Sequence, residues 1–211
     1  MRYVRQFERR AILSGIGALC LARGTSSSGQ TRRSLRWSHA DQLEYATFVP
    51  TFAAAYSTPV DCADLALDSL ITFAARNQLP VRLFDFDGPG HSKRWLEYDP
   101  RVDDWHTVRA FLMDQLGAIN VIENSRKITL PEVRAGDLIM HENIYGGDFT
   151  GHTRVLLSAT YDADRQDYFI RRYEGTLPPV VPVLKESWFN EIHDVYQRAP
   201  RRWNFGQFGM G

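Results

Sequence analysis

The sequence predicts an α+β domain, helices in its first half and an antiparallel sheet in its second. Three observations carry that expectation. Between Ser38 and Asn77, apolar residues recur at intervals of three and four, the period of a helix with one buried face. Between Gly136 and Leu184 they fall instead into short runs rich in Val, Ile, Leu, Tyr and Phe, as strands do. Asp162-Ala163-Asp164-Arg165 supplies a polar turn between two of those runs. With 211 residues, 44% of them hydrophobic, the chain can bury the core of one domain.

Taken in order, a first helix is expected from Ser38 to about Tyr56, with Leu43, Ala46, Phe48 and Phe52 on its inner side. A second runs from Cys62 to Asn77, with Ala63, Ala66, Leu67, Leu70, Ile71 and Ala74 as an inward stripe. Asp61 is placed to cap it, and Pro59 suits the turn leading in. Pro80 to Phe84 reads as a short strand, and Asp103 to Leu116 as a third helix ended by Gly117. Strands follow at Gly136–Met140, Thr153–Tyr161, Tyr168–Tyr173 and Val180–Leu184. A closing helix is expected over Glu186 to Gln197, and residues 198–211 read as a tail.

The N-terminus has a different character. Arg2, Arg5, Arg9 and Arg10 stand against Glu8, and Ala11 to Ala22 carries no charge. A basic start, an apolar stretch too short to span a bilayer and a small-residue exit at Ala22 and Gly24 fit a secretory signal peptide over residues 1–24. Arg9-Arg10-Ala11-Ile12-Leu13 resembles a twin-arginine signal, so the expected location is periplasmic or extracellular. A buried N-terminal helix is the other reading of this stretch. Residues 25–37, mostly Ser, Gly, Thr, Gln and Arg, read as a flexible linker. The folded domain is therefore expected over 38–197, with no membrane span once the signal is cleaved.

Charge narrows the function. Lys and Arg number 25, as do Asp and Glu. Cleavage after Gly24 removes five basic residues and one acid, leaving 20 against 24, a net of −4. A nucleic-acid binder would show the opposite excess. Cleavage also removes Cys20, so the mature chain has one thiol, Cys62, and forms no internal disulfide.

Cys62 stands at the start of the second helix, where unpaired backbone N–H groups stabilise a thiolate. A small hydrophobe in a helix interface is the alternative, but such a residue has no reason to prefer a helix start. A thiolate nucleophile wants an imidazole. His39, His106 and His193 fall among polar neighbours in or near helices and read as surface residues. His91 lies in a Gly-Pro-Gly loop and His141 at a strand end. His152 opens the strand Thr153–Tyr161, where a sheet would hold it in place.

Asp61-Cys62-Ala63-Asp64-Leu65 at a helix start, then Arg134-Ala135-Gly136-Asp137-Leu138-Ile139, then Gly151-His152-Thr153-Arg154-Val155-Leu156, resembles the NlpC-type branch of the papain-like cysteine peptidases. The likeness spans Cys62 to about Glu174. Asp64-Leu65 stands where that family commonly has Ser-Gly, and a long segment, Phe84 to Leu130, separates cysteine from histidine. The resemblance implies a papain-like fold and hydrolysis of an amide, typically in the peptide part of bacterial cell wall, with no metal or cofactor. It implies Cys62 as nucleophile, His152 as general base and the Cys62 N–H as oxyanion donor. It adds a third polar residue on the next strand to orient the imidazole. Folding the hairpin about Ala163-Asp164 brings Glu174 to Thr176 opposite His152, and Glu174 is the strong acceptor there. A solvent-facing carboxylate at a strand end is the plainer account of it. Tyr45 and Tyr56 read either as cleft-lining or as core aromatics.

Two other classes stay open. Val81–Phe84 followed by Asp85-Phe86-Asp87-Gly88 looks like the haloacid-dehalogenase phosphatase signature, in which one Asp attacks phosphorus and magnesium holds the phosphate. Here Pro89 follows where that family has Thr, and a helical region precedes the motif. The second class is a secreted wall-binding module without activity. Within the amidase reading, an antibacterial effector would bring an inhibitor or immunity protein as partner.

Overall fold

A computed structural model describes residues 36–85, 94–145, 148–176, 178–192 and 200–209. The expected signal peptide and most of the expected linker lie outside the described residues. Among those described, the fold is mixed α+β, with four α-helices and antiparallel sheets. None of the described helices is long and apolar enough to cross a membrane.

Helix α1 (His39–Ala54) begins at Ser38, whose hydroxyl accepts from the Asp41 N–H while the Asp41 carboxylate accepts from the Ser38 amide and hydroxyl. This reciprocal box satisfies donors that a helix start leaves open. The buried residues are Asp41, Tyr45, Val49 and Ala53; of the expected face, Phe48 and Phe52 are half-buried against the main core, and Leu43 is 44% exposed. Trp37, expected to end the linker, packs instead among Tyr45, Phe73 and Phe205.

Helix α2 (Asp64–Arg76) is the axis of the core, buried on nearly every side from Asp64 to Ala74. All six residues of the expected stripe are inside. Asp68, inward and 2% exposed, is matched by Arg109, Tyr56 and Thr72. Strand β1 (Val81–Asp85) pairs with β2 (Arg94–Tyr98) in a separate two-stranded sheet. Helices α3 (Trp105–Gln115) and α4 (Ala118–Glu123) follow, Asp104 capping the first through Thr107.

The main sheet contains β3 (Ser125–Lys127), β4 (Leu138–Tyr145), β5 (Asp148–Asp162), β6 (Asp167–Glu174), β7 (Val183–Trp188) and β8 (Pro200–Trp203), in the order β3-β8-β4-β5-β6-β7. Side chains alternate between its faces. Leu138, Met140 and Val155 join α2 in the main core, whereas Ile139, Leu156 and Ile170 form a smaller one with Ile192 on the other face.

Two expectations at the C-terminal end are corrected. Glu186 belongs to β7, where it pairs with Arg171 across the ladder, so no helix starts there; residues 193–199 lie outside the described residues. Residues 200–203, expected in a tail beyond the domain, form β8 inside the sheet, and Trp203, Phe205 and Phe208 are buried in the main core. Arg202 is bound there by the Asp137 carboxylate through two nitrogens, at 2.8 and 2.7 Å.

Candidate active site

The residue at the cap position of α2 is Ala63 rather than Asp61, but Asp61, two residues earlier, does supply the acceptor, its Oδ1 taking the N–H groups of Ala63 and Asp64 at 2.9 Å each. Helix α2 begins at Asp64, so Cys62 occupies the turn before it rather than its first residue. The turn is braced from outside. Gly175 lies so close that a Cβ on it would stand 2.5 Å from the Asp61 carbonyl oxygen and 2.9 Å from that of Val60. Val60 in turn bridges to Val180 through backbone bonds of 3.0 and 3.3 Å.

From that turn the Cys62 thiol reaches β5, donating to the Gly151 carbonyl at 3.8 Å. The geometry of β5 explains why the carbonyl is open to it. Leu156 exchanges both its backbone bonds with Gly136 and Asp137, on the β4 side. Alternation then turns the groups of Gly151 and Thr153 the other way, toward β6. The β5–β6 ladder ends at the pair Arg154–Glu174. Past that point the thiol takes the edge a strand would have used. Its contact at Gly151 and the backbone influence of Thr153 bracket His152.

Burial pushes the Cys62 thiol up, and the Asp61 carboxylate adds to this; the backbone at Thr153, Cys62 and Ala63 pulls the other way without prevailing. At neutral pH the buried group is therefore the protonated thiol. The helix-start effect expected from the sequence is present, but desolvation outweighs it.

His152 is partly exposed and lies opposite His141 across the β4–β5 ladder. It shares the parity of Arg154 and Leu156, which places it on the face away from α2, while Thr153 and Val155 face the helix. Any approach of the imidazole to the sulfur runs around the open edge beyond β6.

Glu174 is 5% exposed rather than solvent-facing. Its Oε1 accepts from Arg154 Nε at 2.8 Å and Arg172 Nε at 2.6 Å, and Lys185 Nζ is 2.7 Å from Oε2. Burial alone would raise its pKa; Lys185, Arg172 and Arg154 outweigh that and hold the carboxyl down to about 2. Its partner across the ladder is Arg154, two residues from His152 along the same face.

The remaining candidates separate from this cluster. Asp85 ends β1 and is held by Arg94 at 2.9 Å and by Asn120 at 3.3 Å; Asp87 lies outside the described residues. Tyr45 is a core residue, 2% exposed and bonded to Ser69, whereas Tyr56 is half-buried against Asp68. His39 and His106 are exposed; His91 and His193 lie outside the described residues.

The sequence reading missed Gly175. A glycine just past a strand end is a signal for close backbone approach, and it was there to be used. Gly136 of the Gly-Asp-Leu motif has a plain reason: its φ is +87°, and a Cβ would lie 2.7 Å from the Tyr45 ring.

No protein-family model, no curated protein and no solved structure matches the chain.

Proposed function

We propose that this protein is an exported cysteine amidohydrolase of papain-like design that cleaves an amide bond in peptidoglycan peptides, with Cys62 as nucleophile and His152 as general base. One observation carries the reading: residues 89 positions apart meet so that the thiol contacts β5 at the Gly-His step. The order of elements supports it too, a cysteine turn opening a core helix, followed by an antiparallel sheet that contains the histidine.

Because the resting group is a thiol, the mechanism takes a definite form. His152 removes the proton as sulfur attacks the carbonyl carbon, rather than waiting in a preformed ion pair. The tetrahedral oxygen is stabilised by N–H groups of the turn, that of Cys62 first. Collapse expels the amine, which receives the proton from His152, and water then cleaves the thioester. Glu174, with its carboxylate taken up by Arg154, Arg172 and Lys185, fixes the end of β6 beside this site through the sheet rather than by contact with the imidazole.

The test is incubation of the purified protein with muropeptides, reading release of a new amine by mass spectrometry, for wild type, Cys62→Ala and His152→Ala. Cleavage in the wild type that both variants lose by 10³-fold or more supports the reading. Cleavage that survives Cys62→Ala, or none on any peptide together with identical alkylation of Cys62 in wild type and His152→Ala, overturns it.

A further inference from the structure

The hairpin of β4 and β5 is longer than the sheet it belongs to. Among the described residues both neighbouring ladders stop at one rung: β8 leaves β4 at Ile139, β6 leaves β5 at Arg154, and Ile139 and Arg154 are paired with each other. The hairpin then continues for six more rungs, from Met140–Thr153 to Tyr145–Asp148. At about 3.3 Å per residue, this arm reaches roughly 20 Å beyond its neighbours. Among the described residues no strand pairs with either of its edges.

One of those edges leads into the Cys62 site. The backbone groups of Leu156 point to β4, so by alternation those of Thr153, Gly151 and Phe149 point to the opposite side, where β6 has ended. The Cys62 turn takes the first part of this edge, the thiol donating to the Gly151 carbonyl. Phe149 comes next toward the tip, with its N–H and carbonyl on the same side. Two residues of strand span about 7 Å, so a chain bonded to Phe149 brings an atom one or two residues further along to the sulfur. A strand edge of this kind binds an extended peptide through main-chain groups. Every ladder of the main sheet is antiparallel. A chain added antiparallel to β5 runs from the sulfur toward the tip of the arm in its own N-to-C direction.

We propose that the β5 edge at Phe149 binds the substrate main chain on the amine side of the scissile bond, as an antiparallel strand added to the arm. This rests on the reading of Cys62 as nucleophile. The Phe149 N–H donates to a peptide carbonyl, and the Phe149 carbonyl accepts from the N–H of the same peptide residue. The class of substrate follows from the direction of the added strand. It is a peptide with at least two residues beyond the cleaved amide, so cleavage is internal rather than removal of a terminal amide or of one amino acid.

The experiment compares two reagents on the same sulfur, in a Cys20→Ser background: iodoacetamide, and iodoacetyl-Ala-Ala-Ala amide, which carries a peptide on the amine side of the same acyl group. The ratio of their rates cancels the reactivity of the thiol itself. Below saturation the peptide reagent is expected to react about tenfold faster, as one or two net backbone hydrogen bonds allow. Methylating the nitrogen of one of the first two alanines should abolish that gain, and methylating the other should leave it, because successive N–H groups of a strand point to opposite sides. Phe149→Pro removes the N–H on the open edge and should bring the ratio close to one; if that variant does not fold, the methylated reagents decide the matter on the parent protein. A peptide reagent no faster than iodoacetamide overturns the proposal, as do methylated reagents that behave alike. His152→Ala keeps the two ideas apart: an unchanged iodoacetamide profile there removes the dyad, while the ratio of the two reagents still reports on the edge.

Discussion

Arg154 and Glu174 face each other directly across β5 and β6, and their side chains close a buried ion pair at 2.8 Å, each 5% exposed. Arg172 joins on the same carboxylate oxygen. Removing the one acid leaves two buried guanidinium groups facing each other. Glu174→Gln is therefore expected to cost about 3–5 kcal/mol, read as a lower urea midpoint at unchanged slope.

The same carboxyl sets an acid limit. Its folded pKa is depressed from 4.5 to about 2. The stability it contributes is present above the unfolded value and is lost as pH falls through the folded one. Between about pH 4.5 and pH 2 the wild type should lose roughly 3 kcal/mol from this group alone. Urea midpoints measured at stepped pH should show that slope, and Glu174→Gln should flatten it.

Gly175→Ala tests the brace behind Cys62. The added methyl would meet backbone oxygens of Asp61 and Val60, which have no side-chain freedom with which to yield. A loss of about 1–3 kcal/mol is expected. The Cys62 turn must move, so the alkylation rate of Cys62 should change in the folded variant. Unchanged reactivity would show that the turn is set from elsewhere.

Asp61→Ala removes the acceptor for two N–H groups at the head of α2. About 1 kcal/mol of stability should go with it. Asp61 also pushes the Cys62 thiol upward, so the variant should alkylate at a lower pH than wild type. Asp61→Asn keeps the acceptor and loses the charge; it should retain the stability and still show the lower midpoint.

What could be read from the sequence was local. The α2 stripe was legible because every residue in it is apolar and the helix is buried all round, so no choice of face arises. The inner face of α1 was legible only at Phe48 and Phe52, because its buried residues include an aspartate and a tyrosine. Asp41 is inside thanks to Ser38, and Tyr45 thanks to Ser69, partners that hydropathy does not register. Strand β8 failed for a related reason. Pro-Arg-Arg-Trp has no alternation of polarity, and its arginines, Arg202 buried and Arg201 half-buried, are held by Asp137, Ser125 and main-chain oxygens far away in sequence. Cys62 and Gly151-His152 were recognisable as motifs; their meeting at the edge beyond β6 depends on where Glu174 ends the ladder, which no motif records.

That placement of β8 has a consequence for how the protein is made. Among the described residues of the main sheet, β3 pairs with β8 alone, and β8 separates β3 from β4. A chain emerging from the ribosome therefore carries an unfinished sheet until Trp203 and Phe208 are free to enter the core. Closing contacts so far apart in sequence is slow. Until residues 200–208 have emerged, the nascent chain holds β3 and β4 without the strand that joins them.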